Sequence, residues 1–178
     1  MATDGTVTEP DVLIGTTMFL VERGVTPYQF SVAAGKGIDT AGATKWLREI
    51  FASIGRSPRF AGNGADILGI SDSEWWVIEC KGAGTGQAST QRNNFDRALA
   101  SVVSYFEEEP QGLPPEYKDR RICLGLAIPA TRAYLNELKR RVRSPLRRRL
   151  NLWVLLYDPM SRSVKAMAPE ESFDAIVV

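Results

Sequence analysis

Asp66, Glu79 and Lys81 lie at a spacing that a β-hairpin would bring together. They sit in two apolar runs, 65–70 and 75–81, separated by Ser-Asp-Ser-Glu, a turn-forming composition. Folded as a hairpin, the runs pair Ile70 with Trp75, Leu68 with Val77 and Asp66 with Glu79. Side chains alternate along a strand, so Lys81 is expected on the same face as Glu79. Directly opposed side chains have Cβ atoms about 4.5–5.5 Å apart, where like charges repel. Two carboxylates placed so among Ile, Leu, Trp and Val need a cation, and hard oxygen donors suit Mg²⁺, Mn²⁺ or Ca²⁺. The lysine beside them can hold an attacking water or stabilise charge on a phosphoryl oxygen. The chemistry implied is metal-assisted attack of water on a phosphodiester. An ordinary strand pair with a Glu79–Lys81 surface ion pair would explain the charges, but not Asp66 opposite Glu79 in apolar company.

Composition narrows the alternatives. The 178 residues include no histidine, which excludes Ser-His-Asp and Cys-His hydrolysis and HExxH zinc sites. Acid-base chemistry is left to carboxylates, Lys, Tyr or metal-bound water. The two cysteines, Cys80 and Cys123, sit inside apolar runs and are expected to be buried thiols in strands. The loop from Gly82 to Gly86 lacks GK[ST], and Gln87 occupies the sixth position of GxGxxG, so it fits neither nucleotide-binding template.

The pattern Gly64-Ala65-Asp66, twelve intervening residues, then Glu79-Cys80-Lys81 before a helix resembles the PD-(D/E)xK nuclease superfamily. That group includes restriction endonucleases, Holliday junction resolvases and repair nucleases. The resemblance implies a restriction-endonuclease-like α/β core and hydrolysis of DNA with Mg²⁺ (or Mn²⁺), RNA being left open. It also implies that Asp66, Glu79 and the Cys80 carbonyl hold the metal, that Lys81 is the catalytic lysine, and that Gln91 on the following helix contributes. The family's proline before the aspartate is Ala65 here. The family often carries a further acid early in its first helix. Taking the helix after residue 39 as that element leaves only Glu49, which lies about 130° from the apolar stripe on a helical wheel and is not assigned to the site.

The elements that must position these residues are read as α-β-β-β-α-β-α-β, an α/β domain with a mixed β-sheet flanked by helices. Residues 1–38 form an N-terminal extension packing on the core, with 1–9 frayed, 12–21 a helix or strand and 27–37 a connector; 39–178 form the nuclease-like domain. Asp39 or Thr40 caps a helix with apolar residues Ala43, Leu47, Ile50 and Ile54, stopped by Gly55. A strand is expected around Arg59-Phe60. Ser89 or Thr90 caps a second helix bearing Phe95, Leu99, Val102 and Phe106, stopped by Pro110. Strands are expected at 121–128, 152–157 and 164–167, with a basic helix from 131 to about 143.

The net charge of +1 conceals an asymmetry: residues 1–110 sum to −5 and 111–178 to +6. Seven of the eleven residues from Lys139 to Arg149 are basic, and Lys139, Arg140, Arg143 and Arg147 are the candidates for nucleic-acid phosphates, with salt-sensitive binding. No stretch is long and apolar enough to span a bilayer, and no export leader is visible, so the expected compartment is the cytoplasm. Cutting both strands with one site per chain implies a homodimer. The alternative is a catalytically inactive nucleic-acid-binding or scaffold protein with the same fold.

Overall fold

The computed structural model describes residues 7–32, 40–84, 87–106 and 118–173. The candidate cap Asp39, the loop residues Thr85 and Gly86, and Pro110 lie outside them. The elements run α1 (Glu9–Glu22), β1 (Thr26–Ser31), α2 (Thr40–Ser53), β2 (Arg59–Ala61), β3 (Ile67–Ile70), β4 (Glu74–Cys80), α3 (Ala88–Ser104), β5 (Arg121–Pro129), α4 (Arg132–Arg141), α5 (Ser144–Leu150), β6 (Leu152–Asp158) and β7 (Ser163–Met167). The strands form one seven-stranded mixed sheet in the order β2-β1-β3-β4-β5-β6-β7. The architecture is α/β, with helices on both faces.

The ambiguous run near the start is a helix. Thr8 caps α1 reciprocally: its hydroxyl accepts from the Asp11 N–H at 3.3 Å, and Asp11 accepts from the Thr8 N–H at 2.8 Å. Residues 7–9, expected to be frayed, are therefore tied down. Val7 adds a further tether, its carbonyl accepting from the Ala83 N–H at 2.7 Å.

The expected connector after residue 27 contains a strand. β1 pairs in parallel with β2 and antiparallel with β3, so it lies inside the sheet. Pro27 has no N–H to donate to a central ladder. The ladder admits it at a register shift between Pro27 and Gln29. Consequently β2 is the edge strand, and β1 takes the place next to β3.

The hairpin has the register read from sequence: Ile70 pairs with Trp75, Leu68 with Val77 and Ile67 with Ile78. β4 then pairs in parallel with β5 through the α3 crossover, and β5 in parallel with β6. Alternation along β4 divides the core. Val77 joins Leu124, Leu126, Phe95 and Leu138 beneath α3 and α4. Trp76, Ile78 and Cys80 join Val12, Leu13, Leu20 and Leu47 beneath α1 and α2. Cys80 and Cys123 are both buried and free.

Helix boundaries differ in detail. On α2 the buried stripe is Ala43, Leu47 and Phe51, with Ile54 52% exposed just past the helix end. α3 starts at Ala88 behind Gln87, rather than at Ser89 or Thr90, and stops at Ser104, well before Pro110. The basic segment is broken at Val142 into α4 and α5.

Candidate active site

Glu79 and Lys81 leave the C-terminal end of β4 on the α3 side, two residues apart. Asp66 sits just before β3, where its backbone carbonyl still accepts from the Ser31 N–H of β1 at 2.9 Å. Its side chain turns to the neighbouring strand and accepts the Cys80 N–H at 2.7 Å. The hairpin register therefore brings Asp66, Glu79 and Lys81 together at one end of the sheet.

A fourth group completes the cluster from the other face. Lys81 Nζ lies 3.0 Å from Glu9 Oε2 and 3.2 Å from Glu79 Oε1. Glu9 is in the first turn of α1, which covers the opposite side of the sheet, and reaches Lys81 because the helix start is docked against the end of β4. Gly82 permits that approach: a Cβ there would meet the Glu9 nitrogen at 2.5 Å and the Thr8 carbonyl carbon at 2.6 Å. Sequence reasoning missed Glu9 because it read residues 1–9 as a tail. The signal was present in Thr8-Glu9-Pro10-Asp11, a capping box with proline at the helix start. The first described helix is α1, and Glu9 lies in its first turn. Glu49, on α2, is exposed and pairs with Lys45 at 3.9 Å, outside the cluster.

Tyr105, at the C-cap of α3, closes the other side by donating its hydroxyl to Glu79 Oε2 at 3.0 Å. Glu79 thus receives an ammonium on one oxygen and a phenol on the other. Burial first, and then the Glu79 carboxylate, holds the Tyr105 hydroxyl well above its ordinary range, so it remains a donor. Three acids share one lysine in a mostly covered cluster, and Asp66 bears the consequence. Burial, reinforced by Glu79, pushes its carboxyl up to about 8, against the opposing pull of Lys81 and the Cys80 N–H. Burial would lower the Lys81 ammonium, but Glu9, Asp66 and Glu79 together raise it, so it stays charged. The Cys80 thiol is driven up by burial and is no nucleophile.

The donor set fits a hard divalent cation. Asp66 and Glu79 supply carboxylate oxygens, and the Cys80 carbonyl leaves the strand on the same side as the N–H that meets Asp66. Glu9, Asp66 and Glu79 share one lysine, and a divalent cation would offset the carboxylate charge that Lys81 does not. Among the described residues no group of three His, Cys, Asp or Glu side chains is arranged to hold a metal, so a metal here would rest on two side chains and a backbone carbonyl.

Gln91 is buried on the face of α3 turned to the sheet, where its oxygen accepts from the Thr131 hydroxyl at the start of α4 at 2.5 Å. That bond ties α3 to α4 above the end of β5.

The basic candidates do not converge. Arg140 is bound to Glu137 at 2.6 Å, and Arg141 to Asp96 and Glu137. Arg147 is fully buried; its guanidinium donates to the carbonyls of Ala168 and Glu171 and stacks 4.3 Å from the Phe173 ring centroid. It fastens the chain after β7, and its assignment to nucleic-acid phosphates is withdrawn. Lys139 and Arg143 are exposed. The ten-residue helix α4 starts at the active-site end of β5, which places Lys139 about 10 Å along its axis from that start and Arg143 past its far end, about 15 Å away.

Set against family models, curated proteins and solved structures, the chain gives no significant match. No described helix is long and apolar enough to cross a membrane.

Proposed function

We propose that the protein is a metal-dependent nuclease with a restriction-endonuclease-like core, hydrolysing phosphodiester bonds in DNA. The observation that carries this reading is the convergence of Glu9, Asp66, Glu79 and Lys81 from three separate segments at the end of β4. The core supports it through a helix, the antiparallel run β1-β3-β4, a crossover helix and the parallel strand β5. In this reading α2 and β2 are an insertion between β1 and β3.

Asp66, Glu79 and the Cys80 carbonyl would hold Mg²⁺ (or Mn²⁺), which lowers the pKa of water and polarises the phosphoryl group. Lys81, kept charged and pinned by Glu9 and Glu79, donates to the attacking water or to the phosphoryl oxygen where charge grows. Tyr105 orients the Glu79 carboxylate. Gln91 supports substrate or water from α3, while Lys139, Arg140 and Arg143 offer backbone contacts further along α4. Cutting both strands together would engage two copies, a homodimer.

The test is a Mn²⁺-dependent assay on plasmid, linear, single-stranded and branched DNA and on RNA, with Glu79→Ala as control. Cleavage by wild type and none by the variant is the expected result. Unimpaired cleavage by pure Glu79→Ala protein would overturn the mechanism. One observation favours a second reading, a catalytically inactive nucleic-acid-binding or scaffold protein: the Lys81 side chain is only 16% exposed and closed between Glu9 and Glu79. That reading requires EDTA-insensitive, salt-sensitive DNA binding and no cleavage of any substrate.

A further inference from the structure

The opposite end of the sheet holds a cleft that the nuclease reading does not use. Its volume is about 660 Å³, and it is lined by Arg23, Arg56, Arg120, Ser71, Asp72 and Glu74 together with neighbouring backbone. The three arginines come from three segments, and each is fixed locally. Arg23 caps the C-terminus of α1, donating its N–H to Phe19, and is followed by Gly24 at φ +78°. Arg56 follows Gly55, whose φ of +68° turns the chain after α2 so that the Arg56 N–H returns to the Phe51 carbonyl at 2.8 Å. Arg120 precedes β5 and donates Nε to the Asp72 carbonyl at 3.3 Å, while the next residue's N–H bonds Ser73.

The two acids in the cleft offset only part of the charge of its three arginines. Glu74 is already engaged by Arg121 at 2.6 Å, by the Trp76 indole N–H at 2.9 Å and by Arg23 at 3.7 Å. Three arginines line the cleft against two acids, Asp72 and Glu74, and Glu74 is shared with Arg121 outside the lining. Arg23 is further held over the Trp153 ring, 4.7 Å from its centroid. Rigid guanidinium forks match phosphate oxygens in a way that single ammonium groups do not, and the volume lies within the range of small-molecule sites.

We infer that this cleft binds the terminal phosphate of a ligand about the size of a mononucleotide, through Arg23, Arg56 and Arg120. The phosphate belongs either to a free nucleotide or to the end of a nucleic-acid strand. The inference does not rest on the nuclease reading. α1 spans the distance between the two places, about 21 Å for its fourteen residues, with Glu9 at one end and Arg23 past the other.

The full chain in EDTA is titrated with adenosine monophosphate, with adenosine, and with a short oligonucleotide carrying or lacking a 5′-phosphate. Heat is read by calorimetry, and tryptophan emission reports on Arg23 above Trp153. Adenosine monophosphate is expected to bind and adenosine not to. Arg56→Glu should weaken binding by about tenfold or more, a change of about 1.4 kcal/mol, with unchanged circular dichroism. Arg120→Met carries the same readout should the first variant fold poorly. If the 5′-phosphorylated strand competes and the unphosphorylated one does not, the phosphate comes from a strand end; if neither competes, it comes from a free nucleotide. Absence of binding at millimolar ligand, equal binding by both arginine variants, or its loss in Lys81→Met would each overturn the inference.

Discussion

The cluster at the end of β4 and the run from Lys139 to Arg149 treat charge in opposite ways. In the first, Glu9, Asp66 and the Glu79–Lys81 pair come from three segments; Lys81 lies between Glu9 and Glu79, and Asp66 accepts the N–H of Cys80, the residue between Glu79 and Lys81. In the second, seven charges lie within eleven residues, and the helix turns them apart: Arg140 and Arg141 to acids, Arg147 into the core, Lys139 and Arg143 to solvent. Density of charge along a chain does not make a site; convergence enforced by strand register and helix docking does. A helix advances 100° per residue, so a run of arginines fans out around it, with the adjacent pair Arg140 and Arg141 meeting at one acid, Glu137. Residues opposed across a hairpin, by contrast, must meet.

The largest effect that tests this contrast is at Lys81. Lys81→Met should lower cleavage by at least about 100-fold, the magnitude of losing one preorganised charge donor, with circular dichroism unchanged. A loss below tenfold would demote the cluster to an ordinary ion-pair network.

Within the basic run, Arg147 and Arg143 should separate cleanly. Arg147→Met removes charge-assisted bonds to two carbonyls and should cost about 2–3 kcal/mol in urea unfolding. Arg143→Met should leave stability within about 0.5 kcal/mol while lowering the slope of DNA affinity against salt by about one. Equal destabilisation by both would erase the difference drawn between them.

Asp66 gives the cluster a pH signature. Its folded carboxyl titrates near 8, above the ordinary 3.8, so between those values the folded state binds more protons than the unfolded one. Its contribution to stability is complete below about pH 4 and is lost as pH rises through about 8. Denaturation in EDTA across this range should show stability falling with pH, and Asp66→Asn should flatten the fall. An identical slope in the variant would remove the strained carboxylate from the description.

Two smaller effects probe how the cluster is held. Gly82→Ala pushes the start of α1 off the end of β4 and should reduce cleavage by about tenfold, since small misplacements near a reacting centre are costly. Tyr105→Phe removes one bond to Glu79 and should cost less, read as a weaker apparent affinity for Mn²⁺ by about threefold to tenfold, the loss of a single oriented hydrogen bond. A larger effect at Tyr105 than at Gly82 would reverse this ranking.

Some of this was readable from sequence for a local reason. Hairpin register follows from turn length and alternation, so the pairing of Leu68 with Val77, and with it the approach of Asp66 to Glu79, was set by nearby residues. The burial of Cys80 and Cys123 and the α/β order were legible from apolar runs in the same way. β1 was concealed because Pro27 contradicts a central strand unless a bulge admits it.

By itself, then, the sequence determined the α/β class, the hairpin register and the meeting of Asp66, Glu79 and Lys81, because these depend on short-range periodicity and pairing. The tertiary structure decided that Glu9 joins them, that Arg147 is buried, and that Arg23, Arg56 and Arg120 share one cleft. Those outcomes depend on how α1 docks on Gly82, where α5 packs, and how three loops meet at one end of the sheet. Such long-range contacts leave no period in the sequence.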